Sequence, residues 1–213
     1  IDAVMGTNRG GLRLVYSGSS QGWITATAGN DETASQNKFV TATGGNSVIT
    51  DGNFKTHIFT ADGNFVVSCG GNSGGSNTVS YVVIAGGGGG GGSNHGSGGG
   101  AGGFREGKSS DDTYTASPLN APAGLSVSAQ TYPITVGGGG TGNYPGTGSA
   151  GSNSIFSTIT SAGGGLGTTS GSGNAGGSGS GGGSEVSGPF AGGAGNTPPV
   201  SPPQGNNGGN GNS

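Results

Sequence analysis

Apolar and polar residues alternate along the first quarter of the chain, which is the pattern of half-buried β-strands. Apolar side chains stand at every second position of residues 12–16, and the serine- and glycine-rich residues 17–22 separate this stretch from residues 23–24. Serine and glycine are frequent in tight turns. The pattern therefore predicts a β-hairpin between residues 12–16 and 23–24.

A second pair of apolar stretches lies further along the chain. Residues 56–60 and 65–68 are rich in β-branched and aromatic residues, and Ala61-Asp62-Gly63-Asn64 separates them. Asp-Gly supplies the positive φ that a tight hairpin turn requires. We therefore predict that these two stretches pair with each other across residues 61–64.

From residue 79 onward, short apolar segments run directly into blocks of glycine. This arrangement occurs three times, with the apolar segment followed by its glycine block in 79–85 and 86–92, in 132–136 and 137–140, and in 154–160 and 163–165. No apolar stripe of 3.6-residue period is visible anywhere, so no α-helix is predicted.

Composition changes the expected packing of this glycine-rich part. The 213 residues include 57 glycines, and Leu, Ile, Val and Phe together number only 33, too few for a conventional enzyme core. Glycine runs can form polyproline-II-like helices with three residues per turn, which become stable only when packed side by side through backbone hydrogen bonds. Collagen is excluded because residues 166–173 lack glycine at every third position. We expect an all-β lead-in followed by a glycine-rich polyglycine-II-type sandwich.

Charge and cysteine content exclude several classes of protein. Six basic and nine acidic residues give a net charge of −3, so no basic patch is available for nucleic acid. The longest apolar run, 79–85, is too short to span a bilayer, and we expect no membrane insertion. Cys69 is the one cysteine and cannot form an internal disulfide. The chain begins at Ile1, which indicates a processed product or a piece of a longer polypeptide.

Motifs that resemble catalytic or nucleotide-binding signatures lack the required structural context. Residues 102–109 match the phosphate-binding P-loop, but polyglycine precedes them where a buried strand is needed, and no helix is predicted after them. Residues 171–176 match the dinucleotide-binding fingerprint, and residues 71–75 match the nucleophile elbow. Neither motif lies between a predicted strand and a predicted helix. We interpret all three as products of the glycine content.

Titratable side chains are too few and too scattered to predict a catalytic or metal centre. His57 and His95 are the only histidines, and a metal site requires several converging ligands. Asp111 and Asp112 precede a turn, where acidic residues are usually solvated or cap the chain. We expect no enzyme activity, no metal and no cofactor.

Several segments in succession resemble a known family. They look like the glycine-rich domain of tail fibres and other structural proteins of tailed, especially marine, bacteriophages, and they comprise residues 57–67, 79–92, 100–107, 132–140, 151–165 and 196–208. The distal adhesins of T-even-like phages also contain several glycine-rich motifs. The resemblance implies their architecture, a sandwich of polyglycine-II helices whose connecting loops bind a bacterial surface receptor.

The resemblance leads to a specific functional expectation. Residues 1–50 form a β-rich, shaft-like segment, which resembles modules of fibre shafts that are commonly trimeric, and residues 51–213 form the glycine-rich domain. The protein is expected on the surface of the phage particle, as a homotrimer in contact with other virion proteins. The candidate receptor-binding residues are Ser93, Asn94, His95, Asn143, Tyr144, Pro145, Pro189 and Phe190.

Other interpretations stay open at this point. The aromatic residues of these loops could contact a receptor or fill a small core. The protein could be a purely structural fibre or capsid-surface domain that binds only its own copies. An ice-binding polyglycine bundle requires a more regular tripeptide repeat, and a depolymerase requires paired carboxylates on a long β-helix.

Overall fold

A computed structural model describes residues 38–92, 94–185 and 188–212, together with the backbone of residues 14–16 and 23–25. The described residues form β-strands and extended glycine segments, and they contain no helix, as the sequence predicts. The strands are β1 (Leu14–Tyr16), β2 (Trp23–Thr25), β3 (Val40–Thr43), β4 (Ser47–Asp51), β5 (Phe54–Ile58), β6 (Gly63–Gly70), β7 (Thr78–Val79), β8 (Tyr81–Ile84), β9 (Phe104–Gly107), β10 (Asn120–Ala121), β11 (Leu125–Ser126), β12 (Thr131–Thr135), β13 (Ser154–Phe156), β14 (Ile159–Ser161), β15 (Ser184–Glu185) and β16 (Gly188–Pro189).

The largest sheet is antiparallel and has the strand order β14-β13-β12-β6-β3. Within β6, Phe65 and Val67 are buried while Asn64, Val66 and Ser68 are exposed, which is the two-residue period of a sheet with one covered face. A smaller sheet has the order β10-β9-β8. The β1–β2 pair is antiparallel with Tyr16 opposite Trp23, which confirms the first predicted hairpin.

The second predicted hairpin, between residues 56–60 and 65–68, does not form. Strand β5 pairs instead with β4, across a turn in which Gly52 has a φ of 55°, and β6 pairs with β3 and β12. Asp62, expected in the turn, accepts a hydrogen bond from the Val136 amide at 2.8 Å. The prediction was wrong because a shorter turn on the N-terminal side of β5 pairs it along its whole length with β4.

Two of the apolar segments that precede glycine blocks are each divided into two strands. Ser80 separates β7 from β8, which belong to different sheets, and its Oγ accepts a hydrogen bond from the Ser109 amide at 2.7 Å. In residues 154–160, β13 and β14 form a hairpin around Ser157, whose φ is 55°. Polar residues inside the apolar runs therefore mark changes of strand.

Pairing also connects the two predicted domains. Strand β3 pairs with β6, and β4, which pairs with β5, contains the predicted boundary at residue 50. Residues 40–51 thus pair with strands beyond that boundary, while the division into 1–50 and 51–213 stays a prediction.

A small aromatic core lies on the covered face of the sheet. The ring of Phe156 makes edge-to-face contacts with the rings of Phe65, Tyr81 and Tyr132 at centroid distances of 5.9, 6.5 and 6.1 Å. Such pairs contribute about 0.5–1.5 kcal/mol each beyond their buried area. The remaining core residues are Val67, Val83, Val127 and Ile159. This core stabilises the strand-rich end of the molecule.

The glycine blocks extend from this end as segments that run alternately away from the strands and back. Consecutive segments, other than the pair 2 and 3, lie side by side, since backbone hydrogen bonds connect residues near the same end of each. We number them 1 (85–92), 2 (97–103), 3 (137–143), 4 (146–152), 5 (162–168), 6 (171–177), 7 (178–184), 8 (190–196) and 9 (204–211).

Hydrogen bonds in this lattice recur at every third residue. The amides of Ala85, Gly88 and Gly91 donate to segment 2, and those of 86, 89 and 92 donate to segment 4. The carbonyls of Gly87 and Gly90 accept from segment 3. A segment that faces the same neighbour every third residue has the threefold symmetry of a polyproline-II-type helix. The packed polyglycine-II arrangement predicted from composition is therefore confirmed.

The close spacing of these helices explains why glycine is required at most positions. A Cβ atom on Gly88 would lie closer than 3.0 Å to the carbonyl oxygen of Gly165, a separation that real Cβ atoms essentially never show. A Cβ atom on Gly90 would meet nothing nearer than the Ser97 carbonyl oxygen at 3.5 Å. Within one glycine run, some positions therefore require glycine, and others have room for a Cβ atom.

Candidate recognition surface

The loops at the end of the lattice opposite the strands form one surface, which we call the tip. It consists of residues 94–96, which connect segments 1 and 2, residues 144–145, which connect segments 3 and 4, residues 169–170, which connect segments 5 and 6, and the paired strands β15 and β16 between segments 7 and 8. Each loop joins an outgoing segment to a returning one. The lattice therefore brings together loops that are up to about ninety residues apart in the sequence.

Backbone hydrogen bonds connect these loops directly. Gly92 and Gly146 exchange a pair of N–H···O bonds of 2.8 and 3.0 Å, which joins the first loop to the second. The Ser184 amide donates to the His95 carbonyl at 3.2 Å, which joins the first loop to β15. The Gly183 amide donates to the Gly171 carbonyl at 2.8 Å beside the third loop. The tip is thus held by the lattice rather than by a hydrophobic core.

Tyr144 is the most prominent side chain of the tip. It is 77% exposed, the largest exposed fraction among the large apolar and aromatic side chains of the described residues. A Cβ atom on Gly92 would lie 2.6 Å from both Cβ and Cδ2 of Tyr144, so the tyrosine lies against a backbone that has no side chain. The missing Cβ at Gly92 allows this contact, while most of the tyrosine surface faces solvent.

Other predicted site residues lie at the same end. Asn94, His95, Asn143, Pro145 and Pro189 are exposed, and Phe190 is partly buried where segment 8 begins. Ser93 lies outside the described residues. The structure therefore places the three predicted loops on one surface, with Tyr144 turned outward and Phe190 partly covered.

The sequence analysis missed part of this surface. Residues 169–170 belong to the tip, and Ser170 is exposed. Asn212 approaches β15, where its carbonyl accepts a hydrogen bond from Ser184 Oγ at 2.6 Å. The polar stretch between the glycines at 167 and 171 could have indicated a turn. The approach of Asn212 depends on the packing of segment 9 and has no local sequence signal.

The charge of the tip is low. Its loops contain no lysine or arginine, and Glu185 is the one charged residue after Asp112 in the whole chain. Amides, hydroxyls, the imidazole of His95 and the exposed ring of Tyr144 therefore provide its chemistry. Such a surface can bind a neutral polar molecule through hydrogen bonds and ring contacts.

The P-loop-like residues 102–109 lie at the strand-rich end and form no phosphate cradle. Residues 104–107 are strand β9, and no helix follows, which agrees with the rejection of this motif from sequence. Lys108 Nζ lies 5.2 Å from the ring centroid of Tyr114 and lines, with Asn120, a cavity of about 310 Å³. Without a helix N-terminus, this loop lacks the converging amides that bind phosphate.

Glu106 is a buried carboxylate with a structural role in the same region. Its Oε2 accepts a hydrogen bond from the Ser117 amide at 2.9 Å. Burial acts to raise its pKa, but hydrogen bonds from Ser117 and Tyr114 and the positive charge of Lys108 hold the pKa below its ordinary value. Glu106 is thus ionised, and its carboxylate holds the loop after β9 through the hydrogen bond that it accepts from Ser117.

His57 also has a structural environment. Its Nδ1 lies 2.7 Å from the Gly44 carbonyl oxygen, and its ring packs edge-to-face on Phe65 at 5.3 Å. Within the described residues, no three His, Cys, Asp or Glu side chains lie close enough together to hold a metal ion. That part of the chain also lacks any helix with the length and apolar character needed to cross a bilayer.

Comparison with known proteins assigns the glycine-rich part to a family. A family model described as a glycine-rich domain matches residues 60–213, most of the chain. No curated protein sequence and no solved structure matches the chain. The matched residues include every segment of the lattice and all four loops of the tip.

Proposed function

The chain belongs to the glycine-rich domain family, and from this premise we propose that it is a structural component of a bacteriophage virion. It would be a tail-fibre or spike domain, exposed on the particle, without enzymatic activity, and associated with its own copies and with other virion proteins. Its tip would bind a receptor on the surface of the host bacterium. The resemblance to phage glycine-rich domains supports this assignment.

The observation that carries the proposal is the convergence of the loops on one rigid surface with Tyr144 outermost. A preorganised loop loses little conformational entropy on binding, so more of its contact energy appears as affinity. Tyr, Ser, Gly and Asn are also the residues that dominate antibody loops, where tyrosine supplies rigid contact area and the others supply adaptable hydrogen bonds. The tip contains all four of these residue types.

The lattice also suits a protein exposed to the surroundings of a bacterium. Residues 109–213 contain no lysine or arginine, so trypsin-like proteases find no cleavage site there. Seven residues of a polyglycine-II helix extend about 22 Å. The segments therefore hold the tip well away from the strand-rich end.

Binding to bacterial cells tests this proposal. The full chain is labelled with a fluorophore, incubated with a panel of intact Gram-negative bacteria and measured by flow cytometry. We expect binding to at least one strain, and a loss of about tenfold or more with Tyr144→Ala, as for a central interface tyrosine.

Tyr114→Ala is the matched control, because it removes the same side chain from the strand-rich end. It should bind like the wild type. Equal binding by all three proteins would show that the tip is not the contact surface, and no binding to any strain would refute the receptor-binding function.

A purely structural role is the second candidate, and the β4–β5 hairpin favours it. This two-stranded ribbon exposes Val48, Ile49 and Phe54 by 47, 52 and 46%, and an isolated hairpin is marginally stable in water. Association with other copies of the chain would cover these side chains. Sedimentation should then show a trimer that dissociates in the double variant Ile49→Ser and Phe54→Ser, and an unchanged wild-type monomer would contradict this role.

A further inference from the structure

We propose that the ligand of the tip is a neutral glycan, bound by stacking of a sugar ring on Tyr144. This inference rests on the proposed receptor-binding function and specifies the chemical class of the receptor. The argument depends on the charge of the tip, on the surroundings of Tyr144 and on the size of the apolar surface.

The absence of lysine and arginine from the tip disfavours an anionic ligand. The loops of the tip contain no lysine or arginine, and β15 contributes Glu185. A phosphate or carboxylate group would lose its hydration here without a charged partner in return. A ligand whose polar groups are uncharged hydroxyls or amides does not incur this cost.

The surroundings of Tyr144 leave its ring open to a ligand with one flat face. Its Cβ and ring edge lie against Gly92, as the 2.6 Å approach to a Gly92 Cβ position shows, and 77% of the side chain faces solvent. A ring supported on one side loses little freedom when its other side is covered. Sugar rings present C–H groups on one face, and C–H groups make weak favourable contacts with aromatic rings.

Polar side chains in and near the first two loops of the tip can pair with the hydroxyl groups of a sugar. Asn94 and Asn143 are exposed, and each amide offers both donors and acceptors. Thr141 Oγ1 and Ser149 Oγ lie 3.2 Å apart at an exposed position near the second loop. Each sugar hydroxyl can donate and accept a hydrogen bond at once. It can therefore pair with either the donor or the acceptor group of these side chains.

The apolar area of the tip is too small to favour a protein receptor. Stable protein–protein interfaces bury about 800 Å² on each partner around a core of apolar and aromatic residues. Among the exposed large apolar and aromatic side chains of the described residues, Tyr144 alone lies at the tip. A single aromatic ring with polar neighbours is sufficient for one or two sugar units.

The test compares the full chain on bacteria treated in two ways. Periodate cleaves the vicinal diols of surface glycans, and proteinase K removes exposed loops of outer-membrane proteins. We expect periodate to lower binding at least about tenfold and proteinase K to leave it unchanged. Tyr144→Phe, which keeps the ring, should lose less than about threefold, whereas Tyr144→Ala should lose tenfold or more. Raising NaCl from about 50 to about 500 mM should have little effect, since screening acts on charged partners.

The outcomes separate this inference from the function on which it rests. Binding that survives periodate and disappears with proteinase K overturns the glycan and leaves receptor binding intact. Binding that falls steeply with salt overturns the neutral character of the ligand. If untreated cells bind the wild type no better than Tyr144→Ala, receptor binding by the tip fails, and the inference fails with it.

Discussion

Replacing Gly88 by alanine should disrupt the lattice, whereas the same change two residues later should not. The new Cβ at position 88 would lie closer than 3.0 Å to the Gly165 carbonyl oxygen. That oxygen already accepts a hydrogen bond of 2.8 Å from the Gly100 amide, and the Gly88 amide donates to the Gly100 carbonyl at 2.7 Å. The clash therefore acts on three helices at once.

The expected loss of stability follows from these bonds. Separating segments 1 and 5 breaks the two hydrogen bonds that connect them directly, from the Gly164 amide to the Gly86 carbonyl at 2.9 Å and from the Gly167 amide to the Gly89 carbonyl at 2.8 Å. Each buried group left without a partner costs about 1–3 kcal/mol. Gly88→Ala should therefore lower the free energy of unfolding by about 2–6 kcal/mol. Domains of ordinary stability have about 5–15 kcal/mol in total, so a large part of the margin would disappear.

Gly90→Ala is the matched control. Its Cβ would meet the Ser97 carbonyl oxygen at an ordinary 3.5 Å, and Gly90 has no positive φ. At such a position, alanine restricts the unfolded chain and stabilises the fold by about 0.4–1 kcal/mol. Alanine at position 90 should thus be neutral or slightly favourable.

Denaturant unfolding and amide hydrogen exchange measure both effects. Gly88→Ala should shift the unfolding midpoint down and increase exchange at Gly100 and in segment 5, and Gly90→Ala should do neither. If both substitutions destabilise equally, the segments are not packed with the threefold register described here. If neither does, close backbone packing is not what holds the glycine blocks in place.

Three further predictions concern the strand-rich end. Phe156→Ala should lower the free energy of unfolding by about 3–5 kcal/mol because it removes the centre of the aromatic core, while Phe39→Ala, at a side chain that is 60% exposed, should change it by less than about 0.5 kcal/mol in the same urea titration. Gln204, 1% exposed, accepts a hydrogen bond from the Ala162 amide at 2.8 Å. Gln204→Leu should therefore cost about 1–3 kcal/mol in thermal unfolding, and an unchanged melting temperature would contradict this role. Because the pKa of Glu106 is lowered in the folded state, its contribution to the free energy of unfolding is present above the pKa of the unfolded chain. This contribution is lost as the pH falls through the pKa of the folded state. Glu106→Gln should remove this acid-dependent loss, and parallel plots of stability against pH for the two proteins would refute the prediction.

Local patterns predicted some strands correctly and paired others wrongly. β-Branched and aromatic residues identified the stretches that form β5 and β6, but the assignment of a hairpin between them failed, since β5 had an alternative partner across Gly52. A local pattern reports that a stretch is extended and half-buried, and it does not report which other stretch completes its hydrogen bonds. The same limit explains why the separation of β7 from β8 at Ser80 was not foreseen.

The candidate site was likewise predicted only in part from the sequence. Polar stretches between glycine blocks indicated the loops at 93–95, 143–145 and 189–190, and the structure places their described residues at one end of the lattice. Sequence spacing could not show that residues 169–170 and Asn212 join them. It also could not show that Gly92 supports Tyr144, because that contact exists only once segments 1 and 4 lie side by side.

The sequence by itself determined the kind of order this protein adopts. With 57 glycines and few large apolar residues, backbone hydrogen bonds between helices without side chains must replace most of a hydrophobic core. Only the tertiary structure decided which segments are neighbours, which glycines can carry a side chain, and which loops share the tip. The reason is that successive glycines are chemically identical, so they contain no information about register. That information comes from the flanking strands and the small aromatic core, whose packing sets the starting points of segments 1, 3 and 5.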